Sequence, residues 1–139
     1  MKNICFILFA LGSICSCKQM TSGDNNSGAP HQAREYKTLD LMTFMSEYLK
    51  TNKDSAMLID LRTPPEFDAG YIKGAVLINF LDDDIDKQLS LLDKTKRYFI
   101  YCQQGGRSEK CMAKMKSLGF ANVYALDGGY EAYTKASFK

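Results

Sequence analysis

The chain contains 139 residues, of which 45% are hydrophobic and 24% are charged, and its formal net charge is +2 at pH 7. These fractions are ordinary for a globular protein, and the length allows one folded domain with a segment left over. The near-neutral charge lacks the basic excess of nucleic-acid-binding domains, so we expect no nucleic-acid partner.

The first 16 residues have the features of a secretory signal. Lys2 precedes an apolar run over residues 4–11, which is too short to span a membrane as a permanent helix. Residues 14–17, Ile-Cys-Ser-Cys, resemble the lipobox of bacterial lipoproteins, with an aliphatic residue three positions before Cys17 and a small one directly before it. By that resemblance residues 1–16 are a lipoprotein signal peptide and Cys17 carries the lipid. We therefore expect a protein anchored to a bacterial membrane in the cell envelope; a plain cleaved signal peptide is the alternative.

Residues 17–34 are small and polar, which indicates a flexible tether between the lipid and a folded domain at residues 35–139. The chain's single histidine, His31, lies in this tether. Because the predicted folded domain has no histidine, it cannot use the Cys–His pair of cysteine proteases, and we expect no metal site of the zinc type. Once the signal peptide and the lipidated cysteine are excluded, Cys102 and Cys111 remain as thiols.

The rest of the chain alternates between predicted strands and helices. Short apolar or β-branched runs predict strands near residues 36–38, 56–59, 76–78, 98–101 and 122–125. Helical periodicity predicts helices over residues 41–49, 85–92 and 107–118, and another that begins at residue 128. Asp40 is the expected N-cap of the first helix, and Gly119 is expected to end the third. Apolar strands separated by helices indicate an α/β fold with a parallel sheet covered on both faces.

Residues 97–119 are the centre of the predicted chemistry. A buried strand is followed by Cys102, the pair Gly105 and Gly106, then Arg107 and a helix. Such a loop surrounds a thiol with backbone N–H groups at the positive end of a helix dipole, which lowers the thiol pKa and holds an anion. A buried structural cysteine and a solvated arginine are the alternative interpretation. We favour the functional one because the cysteine and the arginine flank the two glycines.

Other polar groups allow two interpretations each. Cys111 lies on the same predicted helix face as Met115, so we expect it to pack in the core, with a redox role as the alternative. Residues 82–84 are aspartates that precede a helix, so we expect them to cap and solvate its first turn rather than to bind a metal. Asp60 ends its strand at the sheet edge where Cys102 also lies, which is where sites of parallel sheets form.

Five blocks of sequence follow one another at residues 60–67, 70–75, 101–108, 119–124 and 126–129. In composition, order and spacing they resemble the single-domain rhodaneses, and the resemblance runs from Tyr36 to Tyr133, which is nearly all of the folded part. It implies a rhodanese-like three-layer α/β fold with a mostly parallel five-stranded sheet covered by helices on both faces.

By this resemblance the protein is a sulfurtransferase. The thiolate of Cys102 attacks the outer sulfur of a donor such as thiosulfate, a polysulfide or a persulfide, and the resulting persulfide passes its sulfur to cyanide or a thiol. Arg107 binds the anionic end of the donor, within a loop made of Gln103, Gln104, Gly105, Gly106, Arg107 and Ser108. Four residues between the cysteine and the arginine are typical of sulfur transfer in this family, whereas related phosphatases carry one more. The resemblance implies neither a metal nor an organic cofactor.

The strand-end motif of the family contributes Asp60, which we expect to support the site by accepting hydrogen bonds from loop amides. Arg62 and Glu66 stand four residues apart and are expected to form a structural ion pair. Tyr71 and Tyr133 replace a histidine and a tryptophan that are frequent in the family, and we interpret both as structural substitutions.

Three alternative functions stay open: a non-catalytic sulfur-carrier or binding module, a thiol redox protein that uses Cys102 and Cys111, and a phosphatase, which the loop length disfavours. A redox pair requires Cα atoms no more than about 7 Å apart. We expect a monomer whose partners are a small sulfur donor, a thiol acceptor and, through the lipid, a membrane.

Overall fold

The computed structural model describes residues 33–137, and these contain five strands and five helices. The strands are β1 (Glu35–Leu39), β2 (Ala56–Asp60), β3 (Ala75–Leu77), β4 (Arg97–Tyr101) and β5 (Asn122–Leu126). The helices are α1 (Leu41–Lys50), α2 (Pro64–Asp68), α3 (Ile85–Ser90), α4 (Gly106–Ser117) and α5 (Gly129–Ser137). The predicted signal peptide, Cys17 and most of the predicted tether lie outside the described residues. Within residues 33–137, no helix has the length and apolar character needed to cross a membrane.

The strands form one sheet in the order β1-β5-β4-β2-β3, and every neighbouring pair is parallel. Strand β4 is central, and the register places Phe99 between Leu58 of β2 and Tyr124 of β5. The prediction of an α/β fold on a five-stranded sheet is therefore confirmed. Within the described residues the sheet is wholly parallel, where the sequence predicted a mostly parallel one.

Both faces of the sheet are buried, because side chains along a strand point alternately to its two sides. In β4, Tyr98 and Ile100 face one core, whereas Phe99 and Tyr101 face the other, and each is at most 1% exposed. Helices α3 and α4 cover the first face, and α1 and α5 cover the second. The continuous apolar run of β4 is thus explained by burial on both sides, and the predicted three layers are confirmed.

The ends of three helices test the predicted caps. Asp40 caps α1, since its Oδ1 accepts a hydrogen bond from the N–H of Thr43 at 3.1 Å. Gly119 follows the end of α4 with a φ of 88°, a left-handed conformation that favours glycine and ends the helix. Asp84 occupies the N-cap position of α3, but its carboxylate accepts a hydrogen bond from the side chain of Gln88 and not from a capping N–H.

The sequence interpretation did not include helix α2. Thr63 precedes this helix, and the Oε2 of Glu66 accepts hydrogen bonds from the N–H of Thr63 at 2.9 Å and from its hydroxyl at 2.7 Å. Prolines open the first turn, where a missing N–H leaves no hydrogen bond broken. The signal Thr-Pro-Pro-Glu was present, but a five-residue helix is too short to show periodicity.

Three segments leave the sheet at its carboxyl edge. Strand β2 ends at Asp60, β4 leads to Cys102, and β5 leads to Gly128, directly before α5. Because these three strands are neighbours in a parallel sheet, their ends lie side by side. This edge therefore holds the residues that the sequence marked for chemistry.

Candidate active site

The thiol of Cys102 lies in a tight loop between β4 and α4, and the residue is 1% exposed. Gly105 has a φ of 107°, which is open mainly to glycine, and its amide nitrogen lies 3.1 Å from the Sγ of Cys102. The six predicted loop residues follow the thiol in one turn that continues into α4; they are Gln103, Gln104, Gly105, Gly106, Arg107 and Ser108.

Hydrogen-bond donors around the sulfur favour the thiolate. Burial raises the pKa of the Cys102 thiol, but the donors outweigh burial, so the pKa is lowered from its ordinary value. Ser108 and the N–H groups of Gln104 and Gly105 contribute to this lowering, and the N–H of Gly105 donates a hydrogen bond to the sulfur at 3.1 Å. The buried Oγ of Ser108 has no hydrogen-bond partner within residues 33–137, which leaves its hydroxyl available to the sulfur. The loop thus stabilises the charge that a nucleophilic cysteine requires.

Helix α5 fixes the orientation of the thiol loop through two backbone hydrogen bonds. The N–H of Tyr130 donates to the carbonyl of Cys102 at 2.8 Å, and the N–H of Glu131 donates to the carbonyl of Gln103 at 3.1 Å. A carbonyl and the N–H that follows it point in opposite directions across a trans peptide. Because both carbonyls point toward α5, the N–H groups of Gln103 and Gln104 point away from α5, and that of Gln104 contributes to the lowered pKa of Cys102.

Gly129 faces the thiol loop with no room for a side chain. A Cβ on this residue would lie 2.3 Å from the carbonyl oxygen of Cys102 and 2.7 Å from that of Gln103. Its φ of 59° is also in the left-handed region. Glycine is therefore required here by contact as well as by conformation.

Arg107 is engaged by a carboxylate of α2. Its guanidinium donates to Oε2 of Glu66 at 2.9 Å and to Oε1 at 2.7 Å. These bonds raise the pKa of Arg107, and the nearby Cys102 raises it further. The same bonds lower the pKa of Glu66 to about 2. The predicted ion pair between Arg62 and Glu66 is therefore wrong: Arg62 precedes α2, so the four-residue spacing of a helix does not apply, and Glu66 pairs across the fold.

Asp60 and Arg62 form a buried pair, with side chains 0% and 2% exposed. The Asp60 carboxylate accepts hydrogen bonds from Nε of Arg62 at 3.0 Å, from its Nη2 at 2.7 Å and from its backbone N–H at 2.9 Å. The prediction that Asp60 accepts hydrogen bonds from loop amides is wrong within the described residues, because Arg62 takes its oxygens. Arg62 in turn donates to Oε1 of Gln103 at 3.4 Å and lies 3.9 Å over the ring of Tyr130. Asp60 thus supports the loop through Arg62.

Glu131 places a second carboxylate at the loop. Its Oε1 accepts hydrogen bonds from the side-chain amide of Gln104 at 2.8 Å and from that of Gln103 at 3.5 Å. The bond from Gln104 is the main cause of a lowered pKa for Glu131. Both glutamines of the predicted anion-binding loop therefore hold a carboxylate with their side chains, while their backbone groups face the thiol and α5.

Cys111 packs in the core, as predicted, and is 0% exposed. Burial raises the pKa of its thiol to about 12, so Cys111 is protonated at neutral pH and is a poor nucleophile. Both Cys102 and Cys111 are free thiols in the structure.

A groove of about 600 Å³ lies elsewhere on the domain. Its lining includes Ala56, the first residue of β2, and Lys96, directly before β4. The groove therefore borders the amino ends of the central strands, whereas Cys102 follows the carboxyl end of β4. The groove is therefore separate from the loop that holds the thiol.

Comparison with known families decides the assignment. Residues 45–136 match the model of the family described as "Rhodanese-like domain". The chain belongs to the rhodanese-like domain family. The matched range includes the thiol loop and both carboxylates that contact it, so the site of this rhodanese-like protein lies within the family match.

The chain is similar to proteins that are named for different activities, and to one that is uncharacterized. The chain is 31% identical to the uncharacterized protein YqhL of Bacillus subtilis, over 74% of this chain and 76% of that protein. It is 32% identical to a tRNA uridine(34) hydroxylase of Hamiltonella defensa, over 67% of this chain but 29% of the hydroxylase. It is 36% identical to the probable adenylyltransferase/sulfurtransferase MoeZ of Mycobacterium tuberculosis, over 56% of this chain and 20% of MoeZ. The chain thus spans less than a third of the latter two proteins.

A solved structure shows the same fold. The crystal structure of a rhodanese-like domain protein from Staphylococcus aureus has a TM-score of 0.61 and 28% sequence identity, and the match covers 70% of this chain and 90% of that one. The three-layer architecture is therefore that of a rhodanese-like domain.

The sequence interpretation missed three residues that shape this rhodanese-like site. Glu66 was assigned to another partner, and Glu131 and Gly129 were not assigned to the site at all. The glycine pair before α5 was visible in the sequence, and a Gly-Gly ahead of a helix is a signal for close backbone approach. Neither carboxylate had a local signal, because each contacts a loop that is distant in the sequence.

The thiol of Cys102 is expected to titrate below its ordinary pKa of 9.0, because the surrounding N–H and O–H donors stabilise the thiolate. Since a lowered pKa means that the proton leaves earlier as pH rises, the thiolate population should already increase below that value. The measurement is the ultraviolet absorbance of thiolate against pH for the wild-type chain minus that of Cys102→Ser. A difference curve whose midpoint lies at or above the ordinary value would contradict the stabilising loop.

Proposed function

We propose that this rhodanese-like chain is a sulfurtransferase that carries sulfane sulfur on Cys102. In the first half-reaction the thiolate attacks the outer sulfur of a donor; a new S–S bond forms to Cys102, the donor's own bond to that sulfur breaks, and its electron pair leaves with the donor. In the second, a nucleophile such as cyanide or a thiol attacks the terminal sulfur and releases the thiolate. No net oxidation or reduction of the protein occurs over the cycle.

One observation carries this proposal: Sγ of Cys102 lies 3.1 Å from the N–H donor of Gly105, within a loop whose donors lower the thiol pKa. The same donors can hold the terminal sulfur of a persulfide, since that group also carries negative charge. Arg107 lies next to the thiol and supplies a cation for the donor. Four residues separate Cys102 from Arg107, the length that the resemblance associates with sulfur transfer.

Steady-state kinetics test the proposal through the order of the two half-reactions. A persulfide intermediate requires that the first product leaves before the acceptor reacts, so double-reciprocal plots at several cyanide concentrations should be parallel. Turnover with intersecting lines would indicate a complex of donor and acceptor together, and absence of turnover with thiosulfate and with a persulfide would contradict sulfur transfer.

We also propose that the enzyme works in the bacterial cell envelope, held by a lipid on Cys17. This proposal rests on residues 14–17 alone. Metabolic labelling with an alkyne fatty acid should mark the full-length chain and should not mark Cys17→Ser; equal labelling of both chains would contradict the anchor.

A further inference from the structure

The charged side chains around the Cys102 loop indicate the class of sulfur donor. Two guanidinium groups, those of Arg62 and Arg107, lie among three carboxylates, those of Asp60, Glu66 and Glu131. The Cys102 thiolate adds a further negative charge. Within residues 33–137 both of these guanidinium groups are therefore already paired with a carboxylate, so neither is free to receive a strongly anionic donor.

The pairing at Arg107 is the most direct obstacle to a dianion. Both of its outer nitrogens donate to Glu66, at 2.9 and 2.7 Å, and the side chains are 22% and 31% exposed. Charges that are largely shielded from water interact more strongly than charges on an open surface. A dianionic donor must either displace Glu66 from Arg107, which breaks two hydrogen bonds, or approach with that carboxylate in place, which brings like charges together. Both routes are unfavourable.

Glu131 opposes an anion from the other side of the loop. It accepts hydrogen bonds from Gln104 and Gln103, and its side chain is 34% exposed. Lys135 lies 3.6 Å from its second oxygen, but this lysine is 77% exposed and solvent screens its charge. The loop glutamines thus hold a carboxylate beside the loop, where a basic loop residue would have presented a cation.

We infer that Glu66 and Glu131 make this site select a persulfide of low charge over the thiosulfate dianion. The inference rests on the proposed sulfurtransferase function and names its donor class. The step is the attack of the Cys102 thiolate on the terminal sulfur of R–S–SH: a new S–S bond forms to Cys102, the S–S bond of the donor breaks, and its electron pair leaves with R–S⁻. The proton of the donor stays on the transferred sulfur during this step and is then lost to solvent, which leaves the anionic persulfide that the loop donors hold. The leaving thiolate carries one charge, so this donor brings less negative charge toward Glu66 and Glu131 than the thiosulfate dianion does.

The experiment measures the second-order rate constant for loading sulfur onto Cys102 of the full-length chain, by quenched intact-protein mass spectrometry. The two donors are thiosulfate and the persulfide of 2-mercaptoethanol, and the signal of Cys102→Ser is subtracted. Glu131→Gln keeps a hydrogen-bond acceptor for Gln104 and removes the charge. It should raise the thiosulfate-to-persulfide ratio of rate constants by about two- to fivefold, the range that a partly exposed charge supports.

Glu66→Gln is the second variant, and it should raise the same ratio because it frees Arg107. Glu47→Gln is the matched control: it removes a carboxylate on α1, where Glu47 contacts Lys50, and should leave the ratio unchanged. Added salt should speed the loading of wild-type protein by thiosulfate, because it screens repulsion.

The outcomes separate the two proposals. If both donors load Cys102 but neither Glu131→Gln nor Glu66→Gln raises the ratio, the charge-selection inference is wrong and the sulfurtransferase proposal stands. If neither donor loads Cys102 in any of these proteins, the sulfurtransferase proposal itself fails.

Discussion

Cys102→Ser is expected to abolish sulfur transfer, with a loss of at least about 10³-fold in kcat/KM, while the fold is retained. A serine hydroxyl is close in size to the thiol, so the loop donors keep a partner. However, a hydroxyl is not ionised at neutral pH and cannot form the persulfide. The measurement is turnover with a persulfide donor and cyanide, together with the circular dichroism spectrum of the variant.

The matched control for this variant is Cys111→Ala. Cys111 is fully buried and has a thiol pKa of about 12, so its removal should leave turnover within about a factor of three while lowering stability by about 1 kcal/mol. A loss of turnover in a folded Cys111→Ala protein would instead support the redox function, in which the two thiols act together.

Gly129→Ala is expected to damage both stability and activity, although Gly129 contributes no side chain to the chemistry. The new Cβ would be placed 2.3 Å from the carbonyl oxygen of Cys102, so either α5 or the loop must move. Forced overlap and a left-handed alanine together are expected to cost about 3 kcal/mol or more. Because the same carbonyl sets the direction of the loop N–H groups, a shift of about 1 Å should lower kcat/KM by about 10²-fold.

The control for Gly129→Ala is Gly106→Ala. A Cβ on Gly106 meets nothing within 4 Å, and this residue begins helix α4, so its substitution should change stability by less than about 1 kcal/mol. Urea unfolding of the three proteins gives the comparison. Equal midpoints for Gly129→Ala and the wild type would show that the contact between α5 and the loop does not constrain the fold.

The local parts of the fold followed from the sequence. Tyr98–Tyr101 form a run of large apolar residues, and such a run predicts a strand buried on both faces, as the structure shows. Asp40 and Gly119 mark helix ends because capping depends on a few adjacent residues. The thiol loop was also predictable, since its cysteine, glycines and arginine lie within one short segment.

Contacts between distant segments could not be derived in the same way. Glu66 was predicted to pair with Arg62, four residues away, but its partner Arg107 is 41 residues along the chain. Arg62 itself turns back to Asp60, two residues earlier, and holds Gln103 of the loop. Sequence spacing gives the neighbours within one helix, whereas a site at the edge of a parallel sheet is assembled from several strand ends.

The structure also connects an aspartate at the end of β2 to the thiol loop at the end of β4. Asp60 fixes the guanidinium of Arg62, which contacts Gln103 and the ring of Tyr130. Tyr130 in turn holds the carbonyl of Cys102 through its N–H. The loop is therefore supported by a connected set of groups from β2 and α5, and the thiol is positioned by the fold rather than by its own loop alone.

The central claim is that Cys102 carries a persulfide, and intact-protein mass spectrometry of the full-length chain tests it most directly. The protein is weighed before exposure to a sulfur donor, after exposure to thiosulfate or to a persulfide, and again after cyanide. The account predicts a gain of the mass of one sulfur atom that cyanide removes and that Cys102→Ser does not show. Failure of both donors to add this mass, with Cys102 and Cys111 lost together as a disulfide, would contradict the account and favour a redox role.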